Sequence, residues 1–498
     1  MIGYNYHLWI ASLLLWIAAD VSSDGIPRSR MRRIRKASAA ADAAHSPNAP
    51  SYGKRLLEAQ FLLNYSNFNH GSFGACPKFV LDYQAGLQLQ QEQQPDTWFR
   101  ERHYQLQNQT RENIARYVGA YDHGMLDGLV LVESASTAVN SIMRSFPWNA
   151  RTHTGSAQDG NDIIAMFSVA YPMVKNTAEW LSRTYGLTVR EVAITFPVQG
   201  DWDFLDAMQT LLKDLEDSNE LARLKMVILD HIVSTPAIKE PVAKLAAMIK
   251  DRAPHTFVLV DGAHAMGQVR QLNLEAIGNM DAYLSNGHKW LYSPKGSAFL
   301  WVNQTSGFVT DTFPEPTVVS SANAIGATAL SERYSYVSSR DYTAFLAMDA
   351  ALTFRQRILG GEENIYQYCR ALAVAAKNLL MDMWNHTTAL APDDMEEFMI
   401  NIGLPLEIDS NEKARAFQAY MLKEHGVYML TLHEQTSGTY YTRLSAQVYL
   451  DLWDFEHMGK LVMEYVKQQY QHHLLERVDE NDGNHDDDDE CNQATAVE

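Results

Sequence analysis

The chain has 498 residues, 46% of them apolar and 10% aromatic, and a formal net charge of −19. That length exceeds one compact core and predicts two domains with appendages. The apolar content excludes a disordered protein outside its ends, and the acidic balance excludes a nucleic-acid binder. The three cysteines, Cys76, Cys369 and Cys491, exclude a disulfide framework, and none has a metal-ligand spacing.

At the amino end, Leu8–Ala19 is an apolar run too short to cross a bilayer comfortably. Val21 and Ser23 suit a signal-peptidase cut before Asp24, so residues 1–23 read as a signal peptide. Arg28, Arg30, Arg32, Arg33, Arg35 and Lys36 come next, then an Ala/Ser-rich stretch, so 24–54 reads as a linker or transit segment. The expectation is entry into the secretory pathway or secretion, with an organelle reached through a bipartite signal as the alternative. Sequons at Asn64, Asn108, Asn303 and Asn385 are compatible with secretion.

From Leu56 to Tyr470 short apolar strands alternate with longer helical stretches, which predicts an α/β protein with a mostly parallel sheet. Strands are expected at Gly128–Val132, Asp162–Phe167, Leu187–Ile194, Met226–Leu229, Phe257–Val260 and Ser297–Val302. Helices are expected at Ser136–Phe146, Val174–Tyr185 and Val242–Arg252. A long helix over Tyr342–Leu359 would cross to a second, smaller α+β region with a strand at Phe398–Leu404, a helix at Lys413–His425 and a strand at Tyr440–Ser445. The boundaries are 55–325 for the large domain and 326–472 for the small one. No internal stretch predicts a membrane span. Glu476–Glu490 holds nine acids and one arginine, so 473–498 reads as a solvated, disordered tail rather than a metal site.

The strongest chemical signal lies in 257–300. The buried strand Phe257–Val260 ends in Asp261-Gly262-Ala263-His264, at the sheet edge where ligands bind in open α/β folds. Ala282–Leu284 then leads into Ser285-Asn286-Gly287-His288-Lys289-Trp290, and another apolar strand follows. An Asp at a strand end is often a cap or turn residue, and a lysine is usually a solvated charge. Lys289 departs from that pattern because small and apolar residues surround it.

This joint pattern resembles the class V aminotransferase family of fold-type I pyridoxal phosphate (PLP) enzymes, from about Asn64 to about Tyr465. Within it, the chain is most similar to the branch of isopenicillin N epimerase-like proteins, cysteine desulfhydrases and hercynylcysteine sulfoxide lyases. The resemblance implies PLP as cofactor, a Schiff base on Lys289 and Asp261 paired with the pyridine nitrogen. His264 would reach the phenolic oxygen. Ala135, Ser136 and Thr137, where a strand turns into a helix, would hold the phosphate with Asn286 and His288. Tyr171 would stack on the ring, and Asp230 and His231 would orient it. Arg443 would bind the substrate carboxylate as a bidentate fork, with Asn69 and His70 lining the pocket. Ser339 and Arg340, in Ser338-Ser339-Arg340-Asp341, would reach the phosphate or substrate of a neighbouring subunit in a homodimer.

That branch implies a small, sulfur-containing amino-acid substrate. β-Elimination needs only Lys289 as base, which favours a carbon–sulfur lyase. Desulfuration through an enzyme persulfide needs a cysteine in a late loop, and Thr431–Tyr441 has none. An amino-acid epimerase is the alternative, with His70 or Tyr171 as the second acid/base, followed by an aminotransferase. A catalytically idle PLP-fold binding or scaffold protein is the alternative outside enzymes.

Overall fold

The computed structural model describes residues 52–148, 161–319, 329–385, 389–405, 408–434 and 438–482. The signal segment 1–23, nearly all of 24–54, the sequence beyond Asp482 with Cys491, and the end of the Asn385 sequon lie outside the described residues.

Twelve strands are present among the described residues: β1 (Ser66–Asn67), β2 (Leu129–Val132), β3 (Ile163–Phe167), β4 (Thr188–Val192), β5 (Leu224–Asp230), β6 (Phe257–Asp261), β7 (Ala282–Asn286), β8 (Ala298–Val302), β9 (Met399–Gly403), β10 (Val427–Tyr428), β11 (Leu430–Glu434) and β12 (Thr439–Ser445). Seven of them form one sheet in the order β2-β8-β7-β6-β5-β3-β4. All run parallel except β8, which is antiparallel to both of its neighbours. The inner strands are buried on both faces, which is why they read as continuous apolar runs rather than alternating ones. Helices Ala135–Ser145, Pro172–Tyr185 and Val242–Arg252 fall where periodicity places them.

Two consequences of this topology matter for the site. The carboxyl ends of β5, β6 and β7 lie side by side, with Asp230 paired to Asp261 and Asp261 to Leu284 in register. Because β8 is reversed, its first residue Ala298 pairs with both Val132 and Asn286, so the start of β8 separates the ends of β2 and β7.

A second, antiparallel sheet has the order β11-β12-β9, and its central strand carries Arg443 opposite Asn401 and Leu430. The amino-terminal loop is tied to it: β1 pairs with β10, and the Ser445 N–H donates to the Phe68 carbonyl at 2.8 Å. The same loop is pressed onto the Lys289 backbone at Gly74, whose φ is 68°. A Cβ there would overlap the His288 carbonyl oxygen, so only glycine fits.

Two expectations need correction. The stretch Tyr342–Leu359 is not one helix. Thr343–Leu346 and Met348–Thr353 are separate α-helical pieces, joined to a π-helical turn at Phe354–Ile358. Its alanines and leucines carry helical propensity, but Ala347 breaks the first piece from the second and the last turn widens to π geometry. The acidic tail also begins later than 473, because the carboxyl-terminal helix Leu452–Asp482 continues into it.

Candidate active site

Lys289 follows β7 and is half-buried against His264, with Nζ 2.9 Å from His264 Nε2. Burial first, and then the charge of Arg443, lower its amine to about 7. Burial and Lys289 likewise hold His264 in its neutral form. The Trp290 indole N–H donates to His264 Nδ1 at 3.4 Å. That contact leaves the imidazole's own proton on Nε2, facing a lysine nitrogen whose lone pair is free to accept it.

Asp261 closes β6, and its Oδ1 accepts the Ala263 N–H at 2.9 Å. Its neighbour Asp230 closes β5, and burial raises the pKa of both carboxyls. His231 Nδ1 lies 2.7 Å from the Tyr283 hydroxyl, and burial keeps the ring neutral by lowering its pKa to about 3. The carboxyl edge of β5–β7 therefore presents two aspartates, two neutral histidines and a lysine with a suppressed charge.

The turn after β2 is held by two side chains. Ser134 caps helix Ala135–Ser145, its Oγ accepting the Thr137 N–H at 3.1 Å. Asn286 reaches across the start of β8, and its Oδ1 accepts the Ala135 N–H at 2.8 Å. The backbone donors of Ala135 and Thr137 are thus engaged within the chain. Ser136 carries the N–H and hydroxyl left at the mouth of this turn. His288 supplies a further donor or acceptor, since its Nδ1 is buried with no partner among the described residues.

Arg443 is buried to 1% exposure, although a free guanidinium belongs in water. Its fork is held by the Ser234 carbonyl at 2.8 Å, Asn69 Oδ1 at 2.6 Å and Ser72 Oγ at 2.7 Å. Nε is buried without a partner among the described residues. Burial lowers its pKa to about 10, so it stays charged at neutral pH. Tyr171 is half exposed at the start of helix Pro172–Tyr185, close enough to Arg443 for its phenol to act on that charge. Ser72 and Ser234 were not singled out in the sequence, although both lie in stretches that were. No local spacing links either one to Arg443.

One further residue is corrected. His70 does not line a pocket: it is completely buried, with Nε2 2.8 Å from the Lys289 carbonyl oxygen and Nδ1 3.0 Å from the Tyr449 hydroxyl. Both ring nitrogens are engaged and burial lowers its pKa to about 3, so it anchors the lysine backbone and does not move a substrate proton. Arg340 forms an ion pair with Glu133 of its own chain. Ser339 Oγ lies 2.8 Å from the Tyr336 hydroxyl on an exposed part of that loop.

The residues fit pyridoxal phosphate. An uncharged buried amine suits its aldehyde, an aspartate suits its ring nitrogen, and Ser136 with the unpartnered His288 Nδ1 suits its phosphate. Among the described residues there is no cluster fit to hold a metal, and no helix long and apolar enough to cross a membrane.

A sheet of this order with these groups along one carboxyl edge defines a fold-type I PLP enzyme, and comparison with known proteins agrees. The L-cysteine desulfhydrase of Arabidopsis thaliana is 30% identical over 420 residues, covering 81% of this chain and 88% of that protein. The hercynylcysteine sulfoxide lyase of Schizosaccharomyces pombe is 25% identical over 419 residues, covering 83% and 98%. Among solved structures, the cystine C–S lyase C-DES in complex with its reaction product cysteine persulfide matches with a TM-score of 0.63 and 20% identity, over 80% of this chain and 98% of that one. The apo cysteine desulfurase from Thermococcus onnurineus NA1 matches with a TM-score of 0.61 and 15% identity, over 84% and 99%. No protein-family model matches the chain. The chain belongs to the class V aminotransferase family of PLP-dependent enzymes, in the branch of the L-cysteine desulfhydrases and hercynylcysteine sulfoxide lyases.

Proposed function

We propose that this protein is a carbon–sulfur β-lyase acting on cysteine, a cysteine S-conjugate or a cysteine sulfoxide, and that it works as a homodimer. The observation that carries the reaction is the environment of Lys289, a single buried base whose amine is lowered to about 7 and held by His264. The names of the relatives supply the sulfur substrate.

Pyridoxal phosphate, when bound, supplies an electron sink that makes the substrate's α-proton acidic. Asp261 keeps a negative charge beside the ring nitrogen and so favours its protonated form. Arg443 takes the α-carboxylate in its fork, exchanging the Asn69, Ser72 and Ser234 contacts for the ligand. Lys289, uncharged above about pH 7, accepts the α-proton, and His264 holds the amine in line. The carbon–sulfur bond then breaks with its electron pair going to sulfur, which leaves as a thiol or, from a sulfoxide, a sulfenic acid. The three-carbon remainder hydrolyses to pyruvate and ammonia.

No second base is needed, and the geometry supports that economy, because His70 is withdrawn behind the lysine and the opposite-face role left to an epimerase falls on Tyr171 alone. Transfer of sulfur to the enzyme is disfavoured for Cys76 and Cys369, whose thiols are raised by burial, Cys76 to about 12.

The test is incubation in deuterated water with L-cysteine, a cysteine S-conjugate, a cysteine sulfoxide and a set of plain L-amino acids. Pyruvate, ammonia and a sulfur product should appear from the sulfur substrates only. Deuterium at the α-carbon of recovered substrate with no pyruvate would replace this reading with epimerisation. Sedimentation of an active monomer at assay concentration would remove the homodimer.

A further inference from the structure

Glu240 is a buried carboxylate that the chemistry above does not use. It lies on the short return that follows β5, where Ile232 bridges to Lys239, and it is only 2% exposed. One oxygen, Oε2, accepts the Asp230 N–H at 3.1 Å, and the Glu240 N–H donates to the His231 carbonyl at 3.2 Å. The other oxygen, Oε1, is buried with no hydrogen-bond partner among the described residues. Side-chain oxygens in such surroundings are rarely left unpaired without a reason.

The charged and titratable groups around it are Asp230 and His231 at the end of β5, Asp261 on β6, and Lys239 beside it on the return, while Lys289 beyond β7 acts on Asp230 and Asp261. His231 is neutral, and Lys239 is engaged by Glu397 at 2.8 Å. Three carboxyls therefore lie together, and Lys289, the amine that acts on two of them, has its own charge suppressed. Ionising all of them would bury a net negative charge away from water, at a cost far above that of retaining a proton. Burial and Asp230 both raise Glu240 well above an ordinary glutamate.

We propose that Glu240 is a positioning residue that shares a retained proton with Asp230 and thereby sets the negative potential that Asp261 presents to the pyridine nitrogen. This rests on the reading of the site as a PLP site, but the proton itself belongs to the protein alone. When a positive ring nitrogen arrives, the cluster releases that proton; when the nitrogen leaves, the cluster takes it back. The site thus keeps nearly constant charge with and without its cofactor.

The experiment compares the wild type with Glu240→Gln, which keeps an oxygen to accept the Asp230 N–H and removes the titration. The folded-state pKa is raised, so the stability linked to it is full below the unfolded value of an ordinary glutamate and is lost as pH rises through the folded value. Apoprotein Tm should therefore fall from pH 5 to 8 in the wild type and fall less in Glu240→Gln, which should be more stable at pH 8 by about 2–4 °C. In the loaded enzyme, the pH at which the visible absorbance band changes should move down by about one unit in the variant, since a nearby negative charge favours protonated forms. Identical apoprotein pH–stability curves for the two proteins would overturn the proposal. If the variant does not fold, infrared spectra of the wild-type apoprotein at pH 7 decide it: a buried carboxylic-acid carbonyl band supports the shared proton, and no such band overturns it. A protein that fails to take up PLP yet shows the apoprotein difference would retain the shared proton and lose only the PLP reading.

Discussion

Lys289 Nζ and His264 Nε2 stand 2.9 Å apart, and Trp290 closes the imidazole's far side at 3.4 Å. A lysine charged at neutral pH would press a second proton against the one the histidine already presents. The contact is favourable only when the amine is free base, as burial makes it near pH 7. Apoenzyme should therefore take up PLP with a rate that rises through about pH 7 and then levels off, because only the neutral amine attacks an aldehyde. Stopped-flow absorbance measures this, and a rate still rising steeply above pH 9 would mean an ordinary surface lysine is reacting.

Lys289→Ala should abolish turnover and covalent fixation of the cofactor by borohydride. It should still bind PLP noncovalently, because Ser136, His288 and Asp261 are untouched. Mass spectrometry after reduction checks the first outcome and equilibrium dialysis the second.

Arg443→Lys replaces a planar fork with a point charge and leaves Asn69, Ser72 and Ser234 facing a shorter, differently shaped donor set. KM for the amino acid should rise by about 10- to 100-fold, the loss expected for charge-assisted hydrogen bonds of about 1.5–3 kcal/mol. Steady-state kinetics tests this, and an unchanged KM would move the carboxylate site elsewhere.

Asn286→Ala frees the Ala135 N–H by removing the oxygen that accepts it at 2.8 Å. The turn gains a donor but loses its brace, and one hydrogen bond of about 1 kcal/mol goes with it. Thermal unfolding of the apoenzyme should show a small loss of stability. The cofactor dissociation constant should change by less than about tenfold, against a larger change in Ser136→Ala. A larger effect at Asn286 than at Ser136 would mean the amide contacts the phosphate directly.

Asp261→Asn should preserve the fold while cutting activity severely. The Ala263 N–H still finds an oxygen at that position, but the negative charge beside the ring nitrogen is gone. Near-normal turnover would transfer the role to Asp230.

The parts of this protein that were legible in its sequence are those set by local pattern. The strand ending at Asp261 and the strand leading to Lys289 stood out because both are buried on two faces and so are apolar throughout. Helix Val242–Arg252 matched to the residue. What local pattern could not carry is pairing across distance. Asn286 and Ala135 meet only because a reversed strand lies between theirs, and Arg340 finds Glu133 only after the chain has returned to the β2 edge. His70 looked like a pocket residue because its loop is rich in glycine and polar side chains. Its burial comes from Trp290, Tyr292 and Tyr449, which lie hundreds of positions away in sequence. Glu240 drew no notice because a glutamate before a proline looks like any surface residue.

The reversed strand also orders events on the ribosome. β2 is made early, yet its only neighbour in the sheet is β8, about 170 residues later in the chain. Until β8 has emerged, the turn at Ser134–Ser136 has neither a strand beside it nor Asn286 to hold its first amide. Among the described residues, β2 therefore gains its sheet neighbour only once residues 298–302 are outside the exit tunnel. Closure of this edge of the sheet is in this sense a late event of synthesis.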